Sequence, residues 1–267
     1  MLAHFIDSKS FQCGYFDDRQ SFFEEYLLED ISETEFEYLL SNGMRHFGDY
    51  FFRPRCNGCH DCIPIRLRPE AFAMSRTHKR TIKKCEDVKI KIGPPRFTEK
   101  KFKLYLEHKK RFPSLQDDVE DIDNFAVSFY QSVPFGIEFE YYYDGELVGI
   151  ALGDFTRNTF SAVYTFYINP HPQMSLGVFS ILKQIQFSRE CGIKYFYLGY
   201  FILKNRSLNY KANFKPNEVF INNEWVPYKV ANGNALVSNE LLNWKNSEFL
   251  IKEAQREEEF RGDIRVR

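Results

Sequence analysis

Cys56, Cys59 and Cys62 follow one another with two residues between successive members, and Cys13 lies upstream of them. Thiolate softness suits zinc and iron–sulfur clusters alike, and a repeated three-residue step lets consecutive ligands converge on one centre. His60, inside the run, is an alternative ligand. A complete pair of two-cysteine knuckles is absent, so a metal site needs Cys13 folded back onto the trio. Reduced, metal-free, packed thiols are the competing reading. Such close spacing fits a reducing compartment better than a secreted disulfide framework, and Cys85 and Cys191 read as ordinary buried cysteines.

Charge is the second chemical feature. The formal net charge of −1 hides a polarised chain: residues 76–111 hold fourteen Lys or Arg against four acids, whereas residues 113–146 hold nine acids and no Lys or Arg. Arg76, Lys79, Arg80, Lys83 and Lys84 form the densest basic run. A band of this kind attracts phosphate backbones by counterion release, and a solvated helical face is its blander explanation.

The elements that must carry these groups come from periodicity. With 267 residues, 43% of them hydrophobic and 17% aromatic, the chain has ample material for a core. His4, Asp7 and Lys9 interrupt the opening residues, so a signal-peptide apolar core is missing, and no apolar run reaches the ~18 residues that span a bilayer. The chain therefore reads as soluble, membrane-free and cytoplasmic. Residues 17–37 read as an acidic helix, and Phe36, Leu39 and Leu40 as a second amphipathic segment stopped by Asn42-Gly43. Residues 50–53 and 63–67 read as strands on either side of the cysteine loop, and residues 88–92 as another. Thr98 is an N-cap for a helix with Phe102, Tyr105 and Leu106 on one face. Residues 137–143 and 147–155 flank Asp144-Gly145, a hairpin turn pair; residues 160–167 form a third strand, 175–191 a helix closed by Gly192, and 195–198 the next strand.

Several stretches together resemble a known family. Phe52-Arg53-Pro54-Arg55-Cys56-Asn57-Gly58-Cys59-His60-Asp61-Cys62 is similar to the N-terminal motif of the arginyl- and leucyl-tRNA-protein transferases. Cys13-Gly14-Tyr15, Asn42-Gly43-Met44-Arg45-His46-Phe47-Gly48 and Met74-Ser75-Arg76-Thr77-His78-Lys79-Arg80 resemble its flanking elements. Ser161-Ala162-Val163-Tyr164-Thr165-Phe166-Tyr167, Ser175-Leu176-Gly177, Tyr197-Leu198-Gly199-Tyr200 and Asn209-Tyr210-Lys211-Ala212 resemble its C-terminal half, in order. The short bacterial members with a three-cysteine cluster look like aspartate/glutamate leucyltransferases, so the resemblance implies leucyl-tRNA as donor, arginyl-tRNA second, and proteins with N-terminal Asp or Glu as acceptors marked for degradation. His46-Phe47, Ile168-Asn169 and Leu203-Lys204-Asn205 depart from the family pattern and bear on amino-acid choice more than on reaction type.

Aminoacyl transfer is attack of a neutral amine on an ester carbonyl through an oxyanion, and it needs no cofactor. A guanidinium fork matches the acceptor's carboxylate, which makes Arg45, Arg66 and Arg76 candidates. Tyr164 and Tyr210 can donate hydrogen bonds, Lys211 can add charge where it develops, and Asp154 is a possible base. Each also has an ordinary structural reading, as a surface ion pair, a core aromatic or a strand-end carboxylate. The resemblance places tRNA on the basic run from Arg76 to Lys84. The expected fold is α+β: an N-terminal cysteine-containing α+β region over residues 1–95 and, over 96–267, a domain like the acyl-CoA N-acyltransferases (GNAT). A coenzyme A-dependent acetyltransferase is disfavoured because the stretch from Gln173 to Val178 lacks the second glycine of a phosphate loop. A non-enzymatic cysteine-cluster RNA-binding module leaves the C-terminal matches unexplained.

Overall fold

The computed structural model describes residues 1–111, 121–131 and 134–228, and the backbone of a short ribbon at 230–231 and 234–235. Asp117, Asp118 and Glu120 of the acidic stretch, and the chain from residue 236 onward, lie outside the described residues.

The chain opens with β1 (Leu2–Phe5), β2 (Phe11–Gln12), β3 (Gln20–Ser21) and β4 (Phe23–Glu29). Within the helix expected over 17–37, residues 20–21 and 23–29 are strands instead. Pairing decides this: β4 lies between β1 and β6 (Tyr50–Pro54), Glu24 faces Arg53 across the ladder, and Phe23 stacks on Phe52 at 5.3 Å. The second segment does form α1 (Glu33–Ser41), started by a reciprocal cap between Ser32 and Glu35 and burying Phe36 and Leu40. β5 (Arg45–Phe47) completes a four-stranded sheet in the order β1-β4-β6-β5.

β7 (Ile63–Leu67) follows the cysteine loop; then come α2 (Arg76–Lys84), capped by Ser75, and β8 (Lys89–Gly93). In α3 (Glu99–Lys109) the inward face is Lys101, Leu104, Tyr105 and His108, while Leu106 is exposed, contrary to the expected stripe. Lys101 is drawn inward because its ammonium meets Glu138 and Glu140. After α4 (Ile122–Tyr130) come β9 (Gly136–Tyr143), β10 (Glu146–Phe155), β11 (Thr159–Tyr167), α5 (Leu176–Glu190), β12 (Tyr195–Phe201), a 3-10 turn Asn209–Asn213, β13 (Asn217–Ile221) and β14 (Glu224–Pro227). Asp144 and Gly145 take the positive φ that the β9–β10 turn requires.

These strands form one mixed eight-stranded sheet in the order β14-β13-β7-β12-β11-β10-β9-β8. Residue 95 falls between β8 and α3, so strands from both sides of that position share the sheet. Phe160, Leu182, Ile185 and Phe196 form the core beneath α5, and Tyr105, Phe125, Ile150 and Phe166 a second core beneath α3 and α4. A third core, around Phe36, Leu40, Phe51 and Tyr197, fastens the four-stranded sheet to the large one. Each fully buried large apolar side chain contributes about 1.5–3 kcal/mol. No described helix is long and apolar enough to cross a membrane.

Candidate active site

β11 and β12 are parallel neighbours joined through α5, yet they pair only from Thr159↔Tyr195 to Ser161↔Tyr197. β11 continues to Tyr167 and β12 to Phe201, so the two strands part beyond that point and the sheet splits. Two cations enter the split. Arg45, from β5 of the other sheet, donates Nη1 to Ser161 Oγ at 2.9 Å and Nη2 to the Ala162 carbonyl. Lys211, from the 3-10 turn after β12, donates Nζ to the Tyr200 carbonyl at 2.9 Å. Gly199 lies between them with φ +86°. The positive φ favours glycine, and a Cβ there would stand 3.3 Å from Lys211 Nζ, a tight approach, and 3.5 Å from Arg45 Cζ, an ordinary contact.

Enclosure shapes the electrostatics. Burial, with Arg45 adding, brings the Lys211 ammonium down to about 7, so near neutrality it exists partly as the free amine. Burial also works against charge on Arg45, while Tyr200, Asp154 and Tyr15 favour it, and a guanidinium keeps its proton. Tyr15 has an exposed ring, but its hydroxyl end is crowded; burial, Cys62, Cys13 and Tyr164 push it up to about 12, with Arg45 opposing. Tyr15 therefore stands electrostatically between the cysteines and the split. Tyr200 donates its hydroxyl to the Gly43 carbonyl at 3.0 Å.

Behind Arg45 lies a buried pair. His46 Nε2 meets Asp154 Oδ2 at 2.8 Å, and His46 Nδ1 meets the Gly48 carbonyl at 2.8 Å. Both ring nitrogens face oxygens, so the ring is held in one orientation from both sides. Asp154 is thereby turned toward His46, opposite Ser161 in the β10–β11 ladder.

Of the residues singled out in the sequence, Arg45, Lys211 and Asp154 come together here. Tyr210 adjoins Lys211 in the 3-10 turn, its phenol pushed up to about 12 by burial and Tyr167. Tyr164, half-buried, packs by Phe129 and Tyr105. Arg66 lies elsewhere, between the rings of Tyr195 and Trp225 at 3.9 and 4.1 Å, with Nε on Glu218 at 2.7 Å. Arg76 is exposed in the first turn of α2, and Lys79, Arg80, Lys83 and Lys84 are exposed along the same helix. Tyr15, Ser161, Gly199 and Tyr200 were not singled out, and His46 was noted only as a departure from the family pattern, although all five lie in the family-like stretches.

The cysteine loop turns at Gly58, φ +69°, where the Cys59 amide donates to the Cys56 carbonyl at 3.2 Å. Cys13, after β2, folds back toward the trio: burial first, then Cys56, Cys59 and Cys13, push the Cys62 thiol up to about 12. Arg19 Nη1 donates to Cys59 Sγ at 3.1 Å and to Asp61 at 2.6 Å. Burial lowers His60. Among the described residues no three His, Cys, Asp or Glu side chains stand where they can hold a metal ion, so the donor set does not fit one in this arrangement.

The sequence matches the models for the arginine-tRNA-protein transferase N terminus over residues 11–80 and C terminus over residues 100–221. An aspartate/glutamate leucyltransferase of Helicobacter hepaticus is 37% identical over 227 residues, covering 83% of this chain and 93% of that protein. The chain belongs to the arginine-tRNA-protein transferase family. A Campylobacter jejuni aspartate/glutamate leucyltransferase is 32% identical, covering 78% of this chain and 89% of its own length. Among solved structures, L-PGS from Bacillus licheniformis is 14% identical with a TM-score of 0.45, covering 80% of this chain and 70% of that one. In this member of the transferase family a cavity of about 90 Å³ opens beside the cysteine loop, reaching from Gly43 and Arg53 to Tyr200 and the β13–β14 turn.

Proposed function

We propose that the chain transfers leucine from leucyl-tRNA to the N-terminal α-amine of proteins beginning with Asp or Glu. The observation that carries this reading is the Arg45–Lys211 pair flanking Gly199 at the split between β11 and β12, in a chain 37% identical to an aspartate/glutamate leucyltransferase. We also read the β9–β10–β11–α5–β12 unit as GNAT-like, supported by its parallel pair parting after three residues.

In the transfer, the amine lone pair forms the new C–N bond, the ester C–O bond breaks, and the ribose 3′ oxygen leaves with a proton. Arg45 and Lys211 supply positive charge for the oxyanion between these events. An N-terminal amine with a pKa near 8 is about one-tenth neutral at pH 7, so alignment in the split provides much of the rate gain. Tyr164 and Tyr210 serve as hydrogen-bond donors to ribose or oxyanion, while Asp154 acts through His46 to hold β5 and Arg45. Arg66 already holds Glu218, and Arg76 joins Lys79, Arg80, Lys83 and Lys84 as a phosphate-binding face on α2. No step requires a cofactor, and none runs through the cysteines. A tRNA-dependent reaction fits a cytoplasmic protein, and a new N-terminal leucine would mark the product for degradation.

The test supplies tRNA charged with radiolabelled leucine or, separately, arginine, and peptides beginning with Asp, Glu, Arg or Ala. Label from leucyl-tRNA on the Asp and Glu peptides alone is the expected result. Label from arginyl-tRNA alone would change the donor, and no label from either would end the transferase reading.

A further inference from the structure

Lys211 reaches the split from the 3-10 turn Asn209–Asn213, a weak support by itself because hydrogen bonds of this kind are poorly aligned. Its Nζ rests on the Tyr200 carbonyl at 2.9 Å, and Arg45 approaches the same part of β12. Whenever Lys211 carries its proton the two cations repel each other. The backbone that carries Lys211 must therefore be fixed if Nζ is to stay in the split.

Asn217, the first residue of β13, supplies that fixing. Its Nδ2 donates to the Ala212 carbonyl at 3.1 Å and to the Phe214 carbonyl at 2.7 Å, so one carboxamide bridges the chain directly after Lys211. Two carbonyl neighbours also decide which end of the amide bears the hydrogens. Asn217 is anchored in turn: it stands opposite Leu67 of β7 in the ladder, and its carbonyl accepts the Tyr228 amide at 3.1 Å. Within the turn the Lys211 amide donates to the Leu208 carbonyl and the Phe214 amide to the Lys211 carbonyl, both at 3.3 Å. The buried Phe214 ring stacks on His78 of α2 with centroids 5.0 Å apart, which seats the end of the turn from the other side.

As a device for stability alone the amide is a poor choice. Asn217 is 4% exposed, and its buried Oδ1 has no hydrogen-bond partner among the described residues. A buried acceptor without a donor is unfavourable, so part of what the two donated bonds contribute is lost. What the amide provides and an apolar residue would not is a fixed position for the turn.

We propose that Asn217 is a positioning residue for Lys211: its carboxamide clamps the Ala212 and Phe214 carbonyls and so holds Nζ at the Tyr200 carbonyl, beside Arg45. The proposal rests on the transferase reading and deepens it by giving a role to a buried side chain that acts through Lys211.

The test compares wild type, N217L, K211M and the double variant in transfer of leucine to an Asp-initiated peptide. It reads kcat, KM for the peptide and the Kd for leucyl-tRNA separately, with single-turnover conditions for the slow variants. Leucine is close to asparagine in size and removes both donors together with the orphaned oxygen. N217L should lower kcat about 10–100-fold with KM and Kd within about twofold, because a misplacement of roughly 1 Å can cost about 100-fold in rate. In the K211M background the same substitution should change the rate less than about twofold, since residues acting through one another are not additive. N217S, smaller and with one donor, should fall between, and it repeats the cycle if leucine disturbs the fold. Equal losses in both backgrounds, or an unchanged kcat in the folded variants, would overturn the proposal. Amide hydrogen exchange gives a readout independent of activity: either variant should speed exchange over residues 205–216 about tenfold and leave β9 to β11 at the wild-type rate. Faster exchange along the whole chain in both variants would show that Asn217 holds the fold at large, which also overturns it. A wild-type chain that labels no acidic peptide would instead remove the transferase reading itself.

Discussion

His46 and Asp154, 108 positions apart in sequence, meet at 2.8 Å in a buried contact that ties β5 of the small sheet to β10 of the large one. Arg45 is the next residue along β5, so this contact fixes the strand that delivers the guanidinium to the split. Removing one member leaves the other's polar atom buried without its hydrogen-bond partner, at a cost of about 1–3 kcal/mol. D154N and H46Q should each lower stability in urea by that order, and the double variant should lose less than the sum of the two. Strict additivity would show that the two side chains do not share an interaction.

Arg45→Lys keeps a positive charge but cannot reach Ser161 Oγ and the Ala162 carbonyl together. Transfer should fall about 100-fold, mainly in kcat, with a small change in the Kd for leucyl-tRNA. An unchanged kcat would remove Arg45 from the chemistry.

Lys211 is held at about 7, against 10.5 for an ordinary lysine, by burial and by Arg45. The folded chain therefore binds this proton less readily than the unfolded chain does. The resulting penalty is full below about pH 7 and fades as the pH rises toward 10.5. K211M should raise Tm at pH 6, lose that advantage by pH 10, and abolish most transfer at every pH. A Tm difference independent of pH would refute the assignment of a low pKa.

Gly199→Ala places a methyl group 3.3 Å from Lys211 Nζ at a backbone φ of +86°. The backbone alone costs about 1–2 kcal/mol, and displacement of the two cations should reduce kcat beyond what the lost stability explains. Comparing activity at a temperature where both proteins are fully folded separates the two effects.

Cys62, its thiol pushed up to about 12, should be slower to alkylate at pH 8 than exposed Cys191, as read by peptide mass mapping. Zinc or an iron–sulfur cluster on the thiolates would protect Cys13, Cys56, Cys59 and Cys62 together until a chelator is added.

Much of the large sheet was legible because its strands and α5 carry strong local patterns and Asp144-Gly145 marks the hairpin. Residues 17–37 were misread because Phe22, Phe23, Tyr26 and Leu27 fall at near-helical spacing, and only the neighbouring strands and the Glu24–Arg53 pairing select β4. The burial of Lys101 likewise leaves no local signal, because it is decided by Glu138 and Glu140 on β9, far along the chain. Arg45, Lys211 and Asp154 could be picked out as residue types in motifs. Their convergence could not, because it depends on a parallel pair that stops pairing after Ser161. His46 and Tyr200 make their defining contacts with residues more than a hundred positions away and leave no local trace.

β7, encoded before residue 70, lies in the large sheet between β12 and β13. During synthesis this strand therefore leaves the ribosome well before either neighbour exists. A synthesis rate of about 5–20 residues per second leaves its backbone edges unpaired for many seconds. Translation stalled before residue 211 would yield a chain that has Arg45 but lacks Lys211.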